Sequence, residues 1–267
     1  MPFANNKGVK IYYEVEGQGP PLVLAHGSSA TLDSWRRYGY ADALRSDFKL
    51  VLFDARGHGR SDKPHETSAY ESKPMVADVV AVLDDLGIGK AHYFGYSMGA
   101  RVGFRVATQS AERFHSFILA CNSPYGSEAE VKAYQDILDG WKTLLTDPQA
   151  YLLRRERTLG RSLTPEERDE LLANDAEALI AFVTGSRHEA PLTNEELSRI
   201  SVPSLLYCGD LDPRYAGARE SANHMPKATF VSLPGLDHLK AFVRSETALP
   251  HIKKFLAEVS RNLPEKG

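Results

Sequence analysis

Ser97 is the side chain of this sequence whose setting most favours covalent chemistry. It lies between Gly95 and Gly99 in "GYSMG", directly after a strand-like run and at the beginning of a helix-like segment. A sharp turn from strand to helix strains the serine backbone and needs residues without side chains two positions before and after it. The pattern predicts a nucleophilic serine pointing out over a sheet edge; a Gly/Ser loop that fits by chance is the alternative.

A serine hydroxyl is a poor nucleophile unless a base removes its proton. His238, in "FVSLPGLDHL", lies beyond Ser97 in the chain and follows a strand-like run and the loop glycine Gly235. A loop of this kind can carry an imidazole to the edge of a sheet. His92, in contrast, lies within a strand-like run, which favours a packing role. We therefore predict His238 as the base.

The base needs an acid that orients its ring and offsets the imidazolium charge. The segment "YCGDLDP" ends the preceding strand-like run with Asp210 and Asp212. We favour Asp212, because it lies past the strand and its tight turn, with Pro213 closing the loop. Asp210 is nearer to the strand end, where it can bond local amides of the turn. Two aspartates that serve only the turn are the alternative.

A second strand-to-loop junction occurs in "LAHGSSA", which contains His26 to Ala30. The tetrahedral intermediate of acyl transfer needs two hydrogen-bond donors at its oxyanion, and backbone N–H groups are the usual donors. We predict that the N–H groups of Ser28 and Met98 form this oxyanion hole. The side chains of Ser28 and Ser29 could line the substrate pocket.

The order of the elements indicates how these residues are positioned. Strand-length apolar runs alternate with helical periods over residues 1–124 and again over residues 201–267. This alternation predicts an α/β domain, with a mostly parallel twisted sheet and helices on both faces. Residues 125–200 are helical in period, and Thr164 before Pro165 and Glu166 predicts a helix start. We expect this insertion to form a lid over the carboxyl edge of the sheet.

The lid determines the substrate, and its aromatic residues are the candidates for pocket lining. Tyr125 and Trp141 could line an apolar acyl pocket, although residues at helical spacing more often pack a lid against a sheet. The same alternatives hold for Tyr134, Leu144, Leu145 and Phe182.

Composition limits the partners and the compartment. The 267 residues carry a formal net charge of −3, with no long run of like charges, which argues against a nucleic-acid partner. The N-terminal "MPFANNKGVK" lacks the features of a signal peptide, and no apolar stretch is long enough for a membrane span, so we expect a cytoplasmic protein. Cys121 and Cys208 are predicted to be small buried hydrophobes, not metal ligands or a disulfide. We expect a small-molecule substrate, no metal and no cofactor, and the oligomeric state stays open.

Five motifs occur in one order along the chain: HG at 26–27, DARGHGRSDKP at 54–64, GYSMG at 95–99, GDLDP at 209–213 and GLDH at 235–238. In this order they resemble the α/β-hydrolase fold family, specifically its lidded branch of esterases, lactonases, carbon–carbon bond hydrolases and cofactor-free haloperoxidase-like enzymes. The resemblance implies Ser97 as nucleophile, Asp212 as acid and His238 as base, with the N–H groups of Ser28 and Met98 as the oxyanion hole.

The resemblance also bears on two further points. It implies that Asp54, Arg56 and Ser61 of the second motif brace loops near the site. Members of the family that open epoxides or remove halide have Asp at the nucleophile position, so Ser97 argues against both reactions.

The resulting prediction is a carboxylesterase-like serine hydrolase that cleaves an ester, a lactone or a C–C bond of a small molecule through an acyl-enzyme. Two alternatives stay open. An acyltransferase or perhydrolase would use the same three residues with a different acceptor, and a ligand receptor on the same scaffold would turn over very slowly.

Overall fold

An eight-stranded sheet runs through the computed structural model, which describes residues 2–125, 128–187 and 189–261. Its strands are β1 (Phe3–Asn6), β2 (Val9–Glu16), β3 (Pro21–Ala25), β4 (Lys49–Phe53), β5 (Ala91–Tyr96), β6 (Phe114–Ala120), β7 (Ser204–Gly209) and β8 (Ala228–Leu233). They lie in the order β1-β2-β4-β3-β5-β6-β7-β8. The pairs β1/β2 and β2/β4 are antiparallel, and all the others are parallel. The predicted mostly parallel sheet is confirmed.

Helices connect the strands. They are α1 (Asp33–Arg37), α2 (Tyr40–Leu44), α3 (Ser72–Asp85), α4 (Met98–Gln109), α5 (Glu128–Thr146), α6 (Pro148–Leu159), α7 (Pro165–Leu172), α8 (Ala176–Arg187), α9 (Asn194–Ser198), α10 (Tyr215–His224), α11 (Lys240–Val243) and α12 (Ser245–Arg261). Short 3-10 turns occupy Thr67–Tyr70 and Ala111–Arg113. Within the described ranges, none of the helices has the length and apolar character needed to cross a bilayer.

Each central strand supplies side chains to both faces of the sheet. Along β3, Val23 packs in one apolar cluster, whereas its neighbours Leu22 and Leu24 pack in the other. Successive side chains of a strand point to opposite faces, so a strand covered on both sides is apolar at nearly every position. This is why the sequence showed continuous apolar runs for the central strands.

Two elements differ from the sequence-based expectation. The segment around Trp35 to Arg45 has the length of one helix in the sequence, but α1 and α2 are separate, because Gly39 adopts a left-handed φ of 77° between them. The edge strand β1 was not expected, and it buries only one of its four side chains, Ala4. A strand with so little burial leaves almost no hydrophobic pattern in the sequence.

Five helices, α5 to α9, lie between β6 and β7, and we refer to them as the helical segment (residues 128–198). The predicted start of α7 is confirmed: Thr164 accepts a hydrogen bond from the backbone N–H of Glu167, and the Glu167 carboxylate accepts one from the Thr164 N–H. Helix α8 packs closely on the 3-10 turn that begins at Thr67. A Cβ added to Gly185 would lie 2.4 Å from the Thr67 carbonyl oxygen.

Candidate active site

The turn between β5 and α4 holds Ser97 in an unusual backbone conformation, with φ 53° and ψ −110°. The glycines on either side are required by backbone contacts. A Cβ on Gly95 would lie 2.4 Å from the carbonyl carbon of Gly99, and a Cβ on Gly99 would lie 2.0 Å from the carbonyl oxygen of Ala25. Since no side chain could be accommodated at either position, the glycine spacing follows from how tightly α4 crosses the strands.

Three predicted residues meet at the carboxyl edge of the sheet. Ser97 follows β5, Asp212 follows β7 and His238 lies in the loop after β8. The distance from His238 Nε2 to Ser97 Oγ is 2.9 Å, and the distance from His238 Nδ1 to Asp212 Oδ2 is 2.5 Å. The Asp212 side chain is fully buried, whereas the His238 side chain is 31% exposed. Both contacts lie within hydrogen-bonding range.

The Asp212 carboxylate is held by more than the histidine. Its Oδ1 accepts a hydrogen bond from the backbone N–H of Arg214 at 3.0 Å and lies 3.5 Å from that residue's Nη1. Burial by itself would raise the pKa of Asp212, but the hydrogen bond with His238 and the charges of His238 and Arg214 outweigh it and lower the pKa. The carboxylate therefore stays ionised at neutral pH.

Asp210 serves a different loop from the one expected. Its Oδ1 accepts a hydrogen bond of 2.7 Å from the backbone N–H of Gly235, which lies in the loop that carries His238. The expectation was a bond to amides of its own turn. The carboxylate instead connects the loops after β7 and β8, a long-range contact that sequence spacing does not reveal.

The loop after β3 lies directly against Ser97. A Cβ added to Gly27 would be 3.4 Å from the Cβ of Ser97. The buried His26 ring fixes this loop: its Nε2 accepts from the Ala55 N–H at 3.0 Å, so its Nδ1 carries the proton and donates to the Gly27 carbonyl at 2.7 Å. Burial lowers the pKa of His26, so the ring is neutral. The His26 carbonyl in turn accepts from the Gly99 N–H at 3.1 Å, which joins this loop to α4.

Ser28, Ser29 and Met98 lie around this junction. Met98 is the first residue of α4 and is 4% exposed. Ser29 adopts a φ of 65°. The Ser28 hydroxyl oxygen is buried and finds no hydrogen-bond partner within the described residues.

The predicted loop braces Asp54, Arg56 and Ser61 are buried. The Asp54 carboxylate accepts hydrogen bonds from the backbone N–H groups of Leu32 and Arg60, both at 2.8 Å. Arg56 forms a buried ion pair with Asp78 at 2.5 Å. These contacts hold the loops after β3 and β4 in place.

Cys121 and Cys208 are buried and have free thiols, as predicted. The sequence did not indicate that Cys121 lies beside the three polar residues: ligand atoms of Cys121, Asp212 and His238 lie within 4.8 Å of one another. Such a group can bind a metal ion. Here Asp212 and His238 already bond each other, so a metal would have to break that interaction.

Tyr96 is a second neighbour of the site that the sequence analysis missed. Its hydroxyl donates to the backbone carbonyl of His238, and its ring stacks on Phe242 with centroids 4.3 Å apart. It therefore supports the loop that carries the imidazole. Its position next to Ser97 in the chain was the available signal.

The two predicted pocket residues of the helical region make other contacts. Trp141 is 3% exposed and packs against Tyr151, with ring centroids 5.5 Å apart. The Tyr125 hydroxyl donates to Asn194 Oδ1 at 2.7 Å. Packing, the alternative weighed for these side chains, accounts for the contacts of Trp141.

Two small pockets lie near the turn at Ser97, but none of the three meeting side chains lines them. One is behind the turn and is lined by Met75, Val79 and Met98 among others. The other lies between α4 and α8 and is lined by Arg101 and Phe182 among others. The partly exposed His238 marks the side from which solvent reaches the serine.

Comparison with known proteins identifies the scaffold. The family model described as "alpha/beta hydrolase fold" matches residues 20–147. The chain is 25% identical to a Bacillus subtilis protein provisionally named 2-succinyl-6-hydroxy-2,4-cyclohexadiene-1-carboxylate synthase, over 85% of this chain and 88% of that protein. It is 26% identical to 3-oxoadipate enol-lactonase 1 of Acinetobacter baylyi, over 78% of each chain.

A solved structure agrees with the sequence matches. The enol-lactonase from Burkholderia xenovorans is similar with a TM-score of 0.80 and 24% identity, covering 96% of this chain and all of that one. The strand order, the turn at Ser97 and these likenesses lead to one conclusion: the chain adopts the α/β-hydrolase fold.

Proposed function

We propose that the protein is a serine hydrolase that cleaves an ester, a lactone or a related acyl compound of small size. The single observation that carries the proposal is the continuous contact from Ser97 Oγ through the His238 ring to the buried Asp212 carboxylate. A receptor that only binds a ligand has no need for all three groups. Residues 125–200 act in this proposal as a lid over the reacting groups.

In the proposed reaction, His238 Nε2 takes the proton of Ser97 while Oγ attacks the substrate carbonyl carbon. Asp212 accepts the hydrogen bond from Nδ1–H and stabilises the imidazolium that forms. The N–H groups of Ser28 and Met98 bind the oxyanion of the tetrahedral intermediate. The imidazolium then protonates the leaving oxygen, and an acyl-enzyme on Ser97 results.

Water completes the cycle in a second half-reaction. His238 takes a proton from a water molecule, whose oxygen attacks the acyl carbon, and the proton passes to Ser97 Oγ as the acid leaves. The relatives support an α/β-hydrolase scaffold, and one of them is named as an enol-lactonase. A lactone fits the same steps, because its ring opens where an ester would release an alcohol.

The test is a panel of p-nitrophenyl esters and lactones of graded chain length, assayed with wild type and with Ser97→Ala. We expect wild-type turnover and a loss of about 10⁶-fold in kcat for Ser97→Ala, with the folded structure retained. Ser110→Ala is the matched control, since Ser110 follows the far end of α4 and lies away from the three meeting side chains. Hydrolysis by Ser97→Ala at the wild-type rate would refute the proposal.

A fluorophosphonate label supplies a readout that does not depend on the correct substrate. Ser97 Oγ would form a bond to phosphorus with loss of fluoride, and mass spectrometry would locate the adduct on the peptide that contains residue 97. Methanol and hydrogen peroxide, added as competing acceptors, distinguish hydrolysis from acyl transfer and from perhydrolysis by the product formed. One stoichiometric burst without further turnover would favour the receptor.

A further inference from the structure

A tyrosine of the helical segment lies between two arginines of the core. Tyr134, in α5, has the guanidinium carbon of Arg101 5.5 Å from its ring centroid and that of Arg214 5.7 Å from it. Arg101 Nη1 also donates a hydrogen bond of 3.0 Å to the Tyr134 hydroxyl. We call Arg101, Tyr134 and Arg214 the guanidinium cluster.

The guanidinium cluster borders the reacting residues on two sides. Arg101 lies one helical turn beyond Ser97 in α4, and its backbone N–H donates to the Ser97 carbonyl at 2.9 Å. Arg214 lies two residues beyond Asp212 and bonds its carboxylate. Tyr134 covers both arginines from the helical segment. A group held at the cluster would therefore lie a few bonds from a carbonyl at Ser97.

Among the described residues, the cluster has an excess of positive charge at Arg101. Arg214 is 5% exposed and its carboxylate neighbour is Asp212, which also bonds His238. Arg101 donates to the Ser186 carbonyl, a neutral acceptor. Among the side chains that the structure describes, no carboxylate lies within 4.0 Å of the Arg101 guanidinium.

Tyr134 reports this excess charge. Burial by itself raises the pKa of a phenol, yet the pKa of Tyr134 is lowered, because the charges of Arg101 and Arg214 outweigh burial. Two cations in a partly buried space favour an anion there. A planar guanidinium binds a carboxylate through paired hydrogen bonds, and a tyrosine hydroxyl can donate a third.

We propose that the guanidinium cluster binds a carboxylate of the substrate, so that the preferred substrates are half-esters or lactones of dicarboxylic acids rather than neutral esters. This specificity rests on the proposed function of Ser97. The carboxylate stays unreacted and fixes the position of the carbonyl, which is a role in binding and orientation.

The kinetic test compares p-nitrophenyl hemiglutarate with p-nitrophenyl valerate, two esters of similar length that differ in one carboxylate. We expect wild type to prefer the anionic ester by about 10-fold or more in kcat/KM, as charge-assisted hydrogen bonds predict. Arg101→Gln should abolish this preference through KM, and Arg101→Lys should restore part of it.

Arg105→Gln is the matched control. Arg105 lies one turn further along α4, and its charge is offset by Glu189 at 3.7 Å. We expect the preference of this variant to equal that of wild type. If Arg101→Gln lowers kcat/KM equally for both esters, the cluster only holds the helical segment against the core, and the proposal is wrong.

A binding measurement separates this proposal from that of the proposed function. Calorimetry with glutarate on Ser97→Ala, and on Ser97→Ala with Arg101→Gln, needs no turnover. If glutarate binds and the binding requires Arg101, the proposal for the cluster is supported. This holds even if neither ester is hydrolysed, a result that would refute only the proposal of a serine hydrolase. Hydrolysis of both esters without anion preference, and no glutarate binding, would refute the cluster alone.

Discussion

The turn at Ser97 and the helical segment differ in how much space they leave for a side chain at their glycines. At the turn, a single added carbon on Gly95 or Gly99 would overlap backbone atoms. In the helical segment, a Cβ on Gly140 would meet its nearest atom at 3.8 Å, and one on Gly160 would meet nothing within 4 Å. The turn that holds Ser97 is thus fixed by backbone contact, whereas the helical segment has room for a side chain at Gly140 and Gly160 and is tight where Gly185 of α8 meets Thr67.

The two regions also differ in their polar contacts. The loop beside Ser97 is held by buried hydrogen bonds such as that from Ala55 to His26. The helical segment is attached partly through exposed polar contacts, including His65 with Glu177 at 3.0 Å. Exposed pairs contribute little to stability, about 0 to 1 kcal/mol. The comparison teaches that Ser97 is held by a rigid part of the molecule, whereas the helical segment is the more adaptable part.

After Ser97→Ala, the largest effect is expected for Asp212→Asn, which removes the charge that orients His238. We expect kcat to fall by about 10⁴-fold with the fold intact, because the amide favours the wrong tautomer of the ring. Asp210→Asn is the matched control, since an amide oxygen can still accept from Gly235, and we expect it to lose less than about 10-fold in kcat. Equal losses in steady-state assays of both variants would reassign the acid.

Gly99→Ala tests the close backbone packing at the turn that holds Ser97. The new methyl group would lie 2.0 Å from the Ala25 carbonyl oxygen, and the strand cannot yield. We expect a loss of at least about 3 kcal/mol in the free energy of unfolding. Gly160→Ala, where only the φ of 68° opposes a side chain, should lose about 1 to 2 kcal/mol in the same urea titration. A similar loss of unfolding free energy at both positions would contradict the difference in available space.

His58 lies where the two regions meet, with its ring 5.2 Å from that of His26 and 6.3 Å from that of Phe182. Burial is the main cause that lowers the pKa of His58 to about 3. An unfolded histidine takes up a proton below a pH of about 6.5, so this contribution to stability is complete above that pH and is lost as the pH falls toward 3.

We therefore expect His58 to account for about 2 kcal/mol of lost unfolding free energy between pH 7 and pH 5. His58→Asn, whose amide can still donate to the Arg56 carbonyl, should show that much less dependence on pH in urea titrations. His92 has a pKa lowered to about 4 by burial and stays in both proteins, so the difference isolates His58. If the free energy of unfolding depends on pH to the same extent in both proteins, protonation of His58 does not destabilise the folded state.

The smallest effect is expected for Gly140→Ala in α5. The methyl group would make an ordinary contact with the Tyr151 ring and would reduce the freedom of the unfolded chain. We expect a gain of about 0.5 to 1 kcal/mol in thermal unfolding experiments, with unchanged kcat. A destabilised variant would mean that the helical segment is packed as tightly as the turn.

The sequence predicted what depends on local order and missed what depends on long-range contact. Strand periodicity and the order of Ser97, Asp212 and His238 indicated the sheet edge where these residues meet. The helix start at Thr164 could be predicted because its capping contacts span only three residues of the chain. The bonds from Tyr96 to His238 and from Arg101 to Tyr134 were not, since they join segments that only the folded chain brings together.

The backbone strain at Ser97 has a consequence for how such a protein can change over generations. A φ of 53° with a ψ of −110° costs a serine about 1 to 3 kcal/mol, whereas glycine would adopt it freely at an entropic cost of about 0.5 to 1 kcal/mol. Replacing this serine by glycine would be expected to raise the melting temperature while ending turnover. If the proposed function holds, selection for thermal endurance alone would thus remove the Ser97 hydroxyl, and only selection for the reaction would retain it.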